Sequence, residues 1–184
     1  CLSQNWSEKL QHLVGDSISV PNPVKPIIVE GANREEFVLL MGRNDPVKGH
    51  EFAYSLGLDD LRVTGVEAAP EGVKALGWVS EQEKWRLLNS AKVLIVPSKY
   101  EAQPMVILEA LSVGCPVVAS ENVPDLPACV KTAKLGDKEQ WLEAINNPIT
   151  EGLQESVSHH SIDLIREKWG EIYSRIIESN TSIE

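Results

Sequence analysis

Basic residues are scarce in this chain. Its 184 residues include 17 lysines and arginines against 27 aspartates and glutamates, a formal net charge of -10. No basic stripe offsets that excess. This excludes a general nucleic-acid binder, whose affinity comes from neutralising phosphates, but leaves room for a local basic pocket. Cysteines number only three. Cys115 and Cys129 lie in or beside apolar segments and read as buried free thiols of a reducing cytosol, while Cys1 is terminal. No Cys-x-x-Cys occurs. The four histidines are also poorly placed for a metal: His12 and His50 are scattered, and His159 and His160 are neighbours at an expected helix start, where they should point apart. No metal site is therefore expected. No apolar run approaches the length of a membrane span, and no secretory signal opens the sequence, so the expected location is cytoplasmic.

What is present is a soluble α/β pattern. The hydrophobic content of 42% is enough for a core, and the length suits one domain. Strands are expected near 37–41, 62–66, 74–76, 93–96, 117–119 and 133–135. Helices are expected near 48–56, 81–91, 104–113 and 138–146, the last capped by Asp137. At the start, Trp6, Leu10 and Leu13 recur at helical spacing over 3–14, and Gly15 ends the run. Residues 161–178 place Ile162, Ile165, Trp169, Ile172, Tyr173 and Ile176 on one helical face. Strongly apolar strands alternating with helices predict a doubly wound parallel sheet of about six strands with helices on both faces.

Three segments carry the chemistry. The first runs from Val93 to Ser120. Val93-Leu94-Ile95-Val96 reads as a strand buried on both faces. The chain then turns at Pro97-Ser98, exposes Glu101 and enters a helix whose first turn accommodates Pro104. Glu109 lies inside that helix, Gly114 is suited to the left-handed position after it, and Val117-Val118-Ala119 forms the next strand. In an open parallel sheet, the loop after a strand lines the ligand crevice, and the N–H groups of a first helical turn attract phosphate. The second segment is Gly42-Arg43-Asn44-Asp45-Pro46-Val47-Lys48-Gly49, directly after the strand 37–41. Arg43 offers a planar fork of donors and Lys48 a mobile point charge. The third is Leu76-Gly77-Trp78-Val79-Ser80, followed by a helix that Ser80 and Glu83 should open as a capping box. Trp85, Leu88 and Ala91 share one face of it.

These segments resemble the signature of the family 4 glycosyltransferases, retaining enzymes with two Rossmann-like domains. That signature has a strand ending in Pro-Ser, a glutamate, seven residues, a second glutamate, then Ala-Leu, Gly and Pro-Val-Val-Ala. Pro97-Ser98, Glu101, Glu109-Ala110-Leu111, Gly114 and Pro116-Val117-Val118-Ala119 match it. The family also carries Gly-Arg, four residues and Lys-Gly after an earlier strand, as Gly42-Arg43 and Lys48-Gly49 do here. Many members have an aromatic residue and a glycine where this chain has Gln103-Pro104, so its sugar pocket departs from theirs.

The resemblance implies a donor site for a nucleotide sugar based on UDP, GDP or ADP, with no cofactor and no metal. Arg43, Lys48 and Glu101 would be catalytic, with Arg43 and Lys48 on the diphosphate and Glu101 on the sugar hydroxyls. Glu109 would take the ribose hydroxyls. Gly42, Trp78, Val79, Gln103, Pro104, Met105 and Val106 would complete the donor site, with the nucleobase read by the backbone at Trp78 and Val79. The ring of Trp78 is equally well explained as an aromatic packed under its loop. Residues 1–26 would be the end of an acceptor-binding domain and its proline-stiffened linker, and 27–184 the donor-binding domain. The implied partners are the nucleotide sugar and a missing acceptor-binding domain or partner chain, through which the protein would lie peripheral to a membrane. Two other functions fit less of the pattern: a nucleotide-binding module inactive without a partner, and a nucleotide-sugar epimerase of related fold. A signalling receiver would need acidic residues at strand ends, and Asp59-Asp60 precede a strand instead.

Overall fold

A computed structural model describes residues 4–15 and 17–181. The expectations for Cys1 and for a helix start at Ser3 fall outside them. Helix α1 spans Gln4–Val14 and stops at Gly15, whose φ of 70° is left-handed. Among the described residues no regular element follows until β1, Val38–Met41. After a short 3-10 helix at Pro46–Lys48 come α2 (His50–Tyr54), β2 (Leu61–Thr64), β3 (Val73–Ala75) and α3 (Glu81–Ser90). The second half contains β4 (Val93–Val96), α4 (Met105–Ser112), β5 (Val117–Ser120), β6 (Lys131–Ala133) and α5 (Lys138–Asn146). It ends with α6 (Leu153–Ser156), a 3-10 helix at Ser158–His160 and α7 (Ile162–Thr181).

The six strands form one sheet in the order β3-β2-β1-β4-β5-β6, with every pairing parallel. This is the doubly wound arrangement, and its order reverses between β1 and β4. There Val38 pairs with Val93, Leu39 with Leu94 and Leu40 with Ile95. Alternate side chains on these strands enter different cores. Leu39, Leu94, Val96, Val117 and Ala119 pack with Trp85 and Leu88 of α3 and Ile107 and Leu111 of α4. Val38, Leu40, Val93, Ile95 and Val118 pack with Ala53 of α2 and Trp141 and Ile145 of α5 on the opposite face. Burial on both sides explains the unbroken apolar runs. Arg34 ties the first layer together: it donates to the carbonyls of Leu88 and Ala91 at 2.7 and 2.9 Å and of Val113 at 2.9 Å, satisfying the ends of α3 and α4.

Several expected boundaries move for local reasons. The helix expected over 48–56 breaks at Gly49, which adopts φ 73° between the 3-10 turn and α2. Pro104 caps α4 rather than lying in its first turn. The last strand begins at Lys131, because its ladder with β5 pairs Val118 with Lys131 and Ser120 with Ala133. Of the capping box, only one arm forms: Ser80 Oγ accepts from the Glu83 N–H at 3.2 Å, while the Glu83 carboxylate takes Arg86 instead. Cys115 is buried and its thiol is pushed up to about 11 by desolvation, whereas Cys129 is only partly covered. On α7, Ile165 is buried, but Leu164, Trp169, Tyr173, Ile176 and Ile177 are exposed. His159 and His160 do not point apart. Their ring centroids lie 4.2 Å from each other because both fold over the same hollow.

Candidate functional site

The carboxyl ends of β1 and β4 flank the point where the strand order reverses, and the loops that follow them touch. Lys99 N–H donates to Val47 O at 2.8 Å. A Cβ on Gly49 would lie 2.0 Å from Pro97 O, so only glycine permits this approach. The loop after β2 joins the same edge: a Cβ on Gly65 would lie 2.4 Å from Gly42 O. Gly65 N–H in turn donates to Gly77 O at 2.7 Å, which sets the Gly77-Trp78-Val79 loop beside the other two.

The loops after β1, β2 and β3, with the N-terminal parts of α3 and α4, line an open cleft of about 230 Å³. Gly42, Arg43, Trp78, Val79, Val106 and Glu109 line it, six of the residues expected from sequence to share a site. Lys48 adjoins it, because its side chain runs past Gly42, 3.7 Å from the position of a Cβ there. Its Nζ meets Glu101 Oε1 at 2.6 Å. The buried Ser98 donates to that same oxygen at 2.8 Å and so fixes the carboxylate. Arg43 is largely exposed and reaches Asp45 at 3.2 Å. The Val47 N–H, and then Arg43, hold the Asp45 carboxyl below its ordinary range.

Trp78 is 76% exposed, so its ring is not packed under the loop. It stands at the cleft edge, where a flat aromatic face is available to a ring-shaped ligand. Gln103 and Pro104 do not join the cleft. They line a separate hollow of about 170 Å³ with Asp125, His159 and His160. Gln103 there accepts the Asn22 N–H at 2.8 Å, tying the loop after β4 to the proline-rich segment. Met105 is partly buried against the core.

Three residues of this edge were not singled out from sequence. Asp45 and Ser98 orient Arg43 and Glu101. Lys84 of α3 lies in the cleft and binds Glu109 Oε1 at 2.7 Å and Glu81 Oε1 at 2.8 Å. Its spacing from Glu81 is that of an ordinary ion pair on a helix surface, and only the tertiary fold brings Glu109 to it. Desolvation works against its charge, but the two carboxylates prevail and raise its pKa. The edge therefore holds two lysine–carboxylate pairs and an exposed arginine, a set able to meet a polyanion and a polyol together. Among the described residues no group of three metal-ligating side chains occurs, and no helix is long and apolar enough to cross a membrane.

A profile of the family described as glycosyl transferases group 1 matches residues 48–151, more than half of the chain. O-antigen chain mannosyltransferase B of Escherichia coli is 37% identical over 83 residues, which make up 45% of this chain and 22% of that protein. Sucrose-phosphate synthase from Thermosynechococcus elongatus superposes with a TM-score of 0.80 at 18% identity, over 96% of this chain and 57% of its own. Anabaena HepE, solved in complex with UDP and glucose, superposes with a TM-score of 0.65 at 17% identity, over 94% of this chain and 53% of its own. At these identities the two structures establish the shared fold. The chain spans about a fifth of the curated relative and just over half of each solved structure.

Proposed function

The chain belongs to the group 1 glycosyl transferases, and from that premise we propose that it is the donor-binding half of a retaining transferase that moves a sugar from a nucleotide sugar to an acceptor. The observation that carries this reading is the pair of lysine–carboxylate contacts, Lys48–Glu101 at 2.6 Å and Lys84–Glu109 at 2.7 Å, at the reversal of strand order. In this reading residues 27–184 are the donor-binding domain, and 1–26 the end of an acceptor-binding domain and its linker.

Glu109 takes the ribose, because a carboxylate accepts hydrogen bonds from a vicinal diol. Arg43 and Lys48 take the diphosphate, aided by the N–H groups of Met105 and Val106 in the first turn of α4. Glu101 addresses the hydroxyls of the donor sugar, and the base lies against Trp78 and Val79. When the bond from the anomeric carbon to the phosphate oxygen breaks, its electron pair goes to the leaving diphosphate. Arg43 and Lys48 meet that charge without a metal, and the acceptor oxygen forms the new bond to the anomeric carbon as its hydroxyl proton passes to the departing phosphate oxygen. Gln103 and Pro104 stand off the cleft, so their proposed role narrows to shaping the loop that presents Glu101. The UDP and glucose bound by HepE make UDP and UDP-glucose the first probes.

The experiment is a thermal-shift and titration screen of UDP, GDP, ADP and their sugars, with and without EDTA. Binding of one nucleotide series, unchanged by the chelator, is expected. A strict requirement for a divalent ion, or no binding across the panel, would overturn the reading.

A further inference from the structure

We infer that Lys84 is the positioning residue for Glu109: it fixes the orientation of that carboxylate, so that one oxygen is held by the protein and the other is left for ligand hydroxyls. The inference rests on the proposed donor site and assigns that site a residue of its own. The support is a chain of contacts from the core to the cleft. The Trp85 ring is buried among α3 and α4, and its Nε1 donates to Glu81 Oε1 at 2.8 Å. Lys84 Nζ binds that same Glu81 oxygen at 2.8 Å and Glu109 Oε1 at 2.7 Å. Its ammonium also lies 5.0 Å from the centroid of the Trp85 ring. Four groups from two helices thus hold one another, beginning at an indole buried in the core.

Two consequences follow for Glu109. Its side chain is only 15% exposed, so its charge needs a partner, and Lys84 is that partner. Among the described residues, Lys84 is its one charged contact, and that contact uses Oε1 alone. Oε2 is left to accept hydroxyls from the cleft. An ammonium has three donors, and two serve Glu81 and Glu109. A fixed carboxylate with one free oxygen binds a hydroxyl pair at less entropic cost than a mobile one.

The test compares a ribonucleoside diphosphate with its 2′,3′-dideoxy analogue on the 184-residue chain, using UDP, GDP or ADP, whichever the wild type binds best. The wild type is expected to prefer the ribonucleotide by tenfold or more, the effect of one hydrogen bond to a charged group. Lys84→Met is expected to remove most of that preference by weakening the ribonucleotide alone. Lys84→Arg, which keeps a cation in reach of both carboxylates, is expected to restore part of it. Equal weakening of both ligands by Lys84→Met would mean a structural role and overturn the inference. So would a preference as large as the wild type's, which leaves the donor-site reading standing. A wild type that ignores the ribose hydroxyls overturns the ribose assignment and this inference with it.

Discussion

Lys48 Nζ lies 2.6 Å from Glu101 Oε1, across the gap between the loops that follow β1 and β4. In the proposed site these two groups serve different parts of one ligand, the diphosphate and the sugar. Here they neutralise each other, and Ser98 holds the acid in place. A diphosphate would therefore have to compete with Glu101 for Lys48. Sugar hydroxyls could then take over the carboxylate as the lysine turns to phosphate, which couples the two halves of donor recognition.

The coupling makes Glu101→Gln informative. Removing its charge frees Lys48, so free nucleoside diphosphate should bind as well as before or a few-fold more tightly. The nucleotide sugar should bind more weakly, by about tenfold for the lost charge-assisted contacts. Glu109→Gln should weaken both by about tenfold, because both contain the ribose. Isothermal titration of the four combinations decides the matter. Equal losses on free diphosphate from the two changes would show that the assignments are wrong.

Much of this was legible in sequence. The apolar runs at 38–40, 93–96 and 117–119 are buried on both faces, and that alone announces a parallel sheet. Four of the six expected cleft residues follow a strand end directly, and α4 brings Val106 and Glu109 to them, because strand ends and the helices after them converge in this topology. The residues that escaped are those whose meaning depends on a contact between elements. Lys84 reads locally as the partner of Glu81. Gln103 sits beside the expected pocket in sequence but is claimed by the Asn22 N–H. His159 and His160 are brought together by a short 3-10 helix that no apolar periodicity marks.

The junction of the β1 and β4 loops should be intolerant of any Cβ at Gly49. Its φ is 73°, and the added atom would lie 2.0 Å from Pro97 O. Gly57 is a matched control, since its φ is 66° with nothing within 4 Å of the same atom. Gly57→Ala should cost only the left-handed penalty of about 1–2 kcal/mol. Gly49→Ala should cost about 2 kcal/mol beyond that as backbone is forced apart. Urea unfolding of both variants measures the difference. Equal losses would mean that the two loops do not meet as described.

Acid should destabilise the fold through two buried histidines. Burial lowers the pKa of His50 from 6.5. The Gly42 backbone and Asp45 oppose that shift, Lys48 adds to it, and neither ring nitrogen has a well-formed hydrogen bond. Burial also lowers His160, with the Asn22 carbonyl opposing and His159 adding. Below pH 6.5 the unfolded chain takes up protons that the folded chain refuses. Stability is then full above that value and falls as the pH drops toward the folded pKa values. His50→Gln and His160→Gln together should flatten the decline between about pH 7 and about pH 5, measured by urea unfolding across that range. An unchanged slope would remove these two residues as its cause.

The final prediction is that this chain alone binds the donor but transfers no sugar. Transfer needs both reactants held in near-attack geometry, and holding them supplies much of the rate. Lys48, Glu101, Lys84 and Glu109 all belong to one sheet, its loops and its helices, and the cleft that Lys84 and Glu109 line is open. Among the described residues no second sheet faces them to orient an acceptor hydroxyl. The test is a turnover assay with nucleotide sugars and a panel of acceptors, run on the chain alone and on the chain mixed with a candidate acceptor-binding domain. Activity is expected only in the mixture. Slow donor hydrolysis by the chain alone is compatible with this reading, since water needs no acceptor site. Acceptor-dependent transfer by the chain alone is not, and it would require a complete active site within these 184 residues.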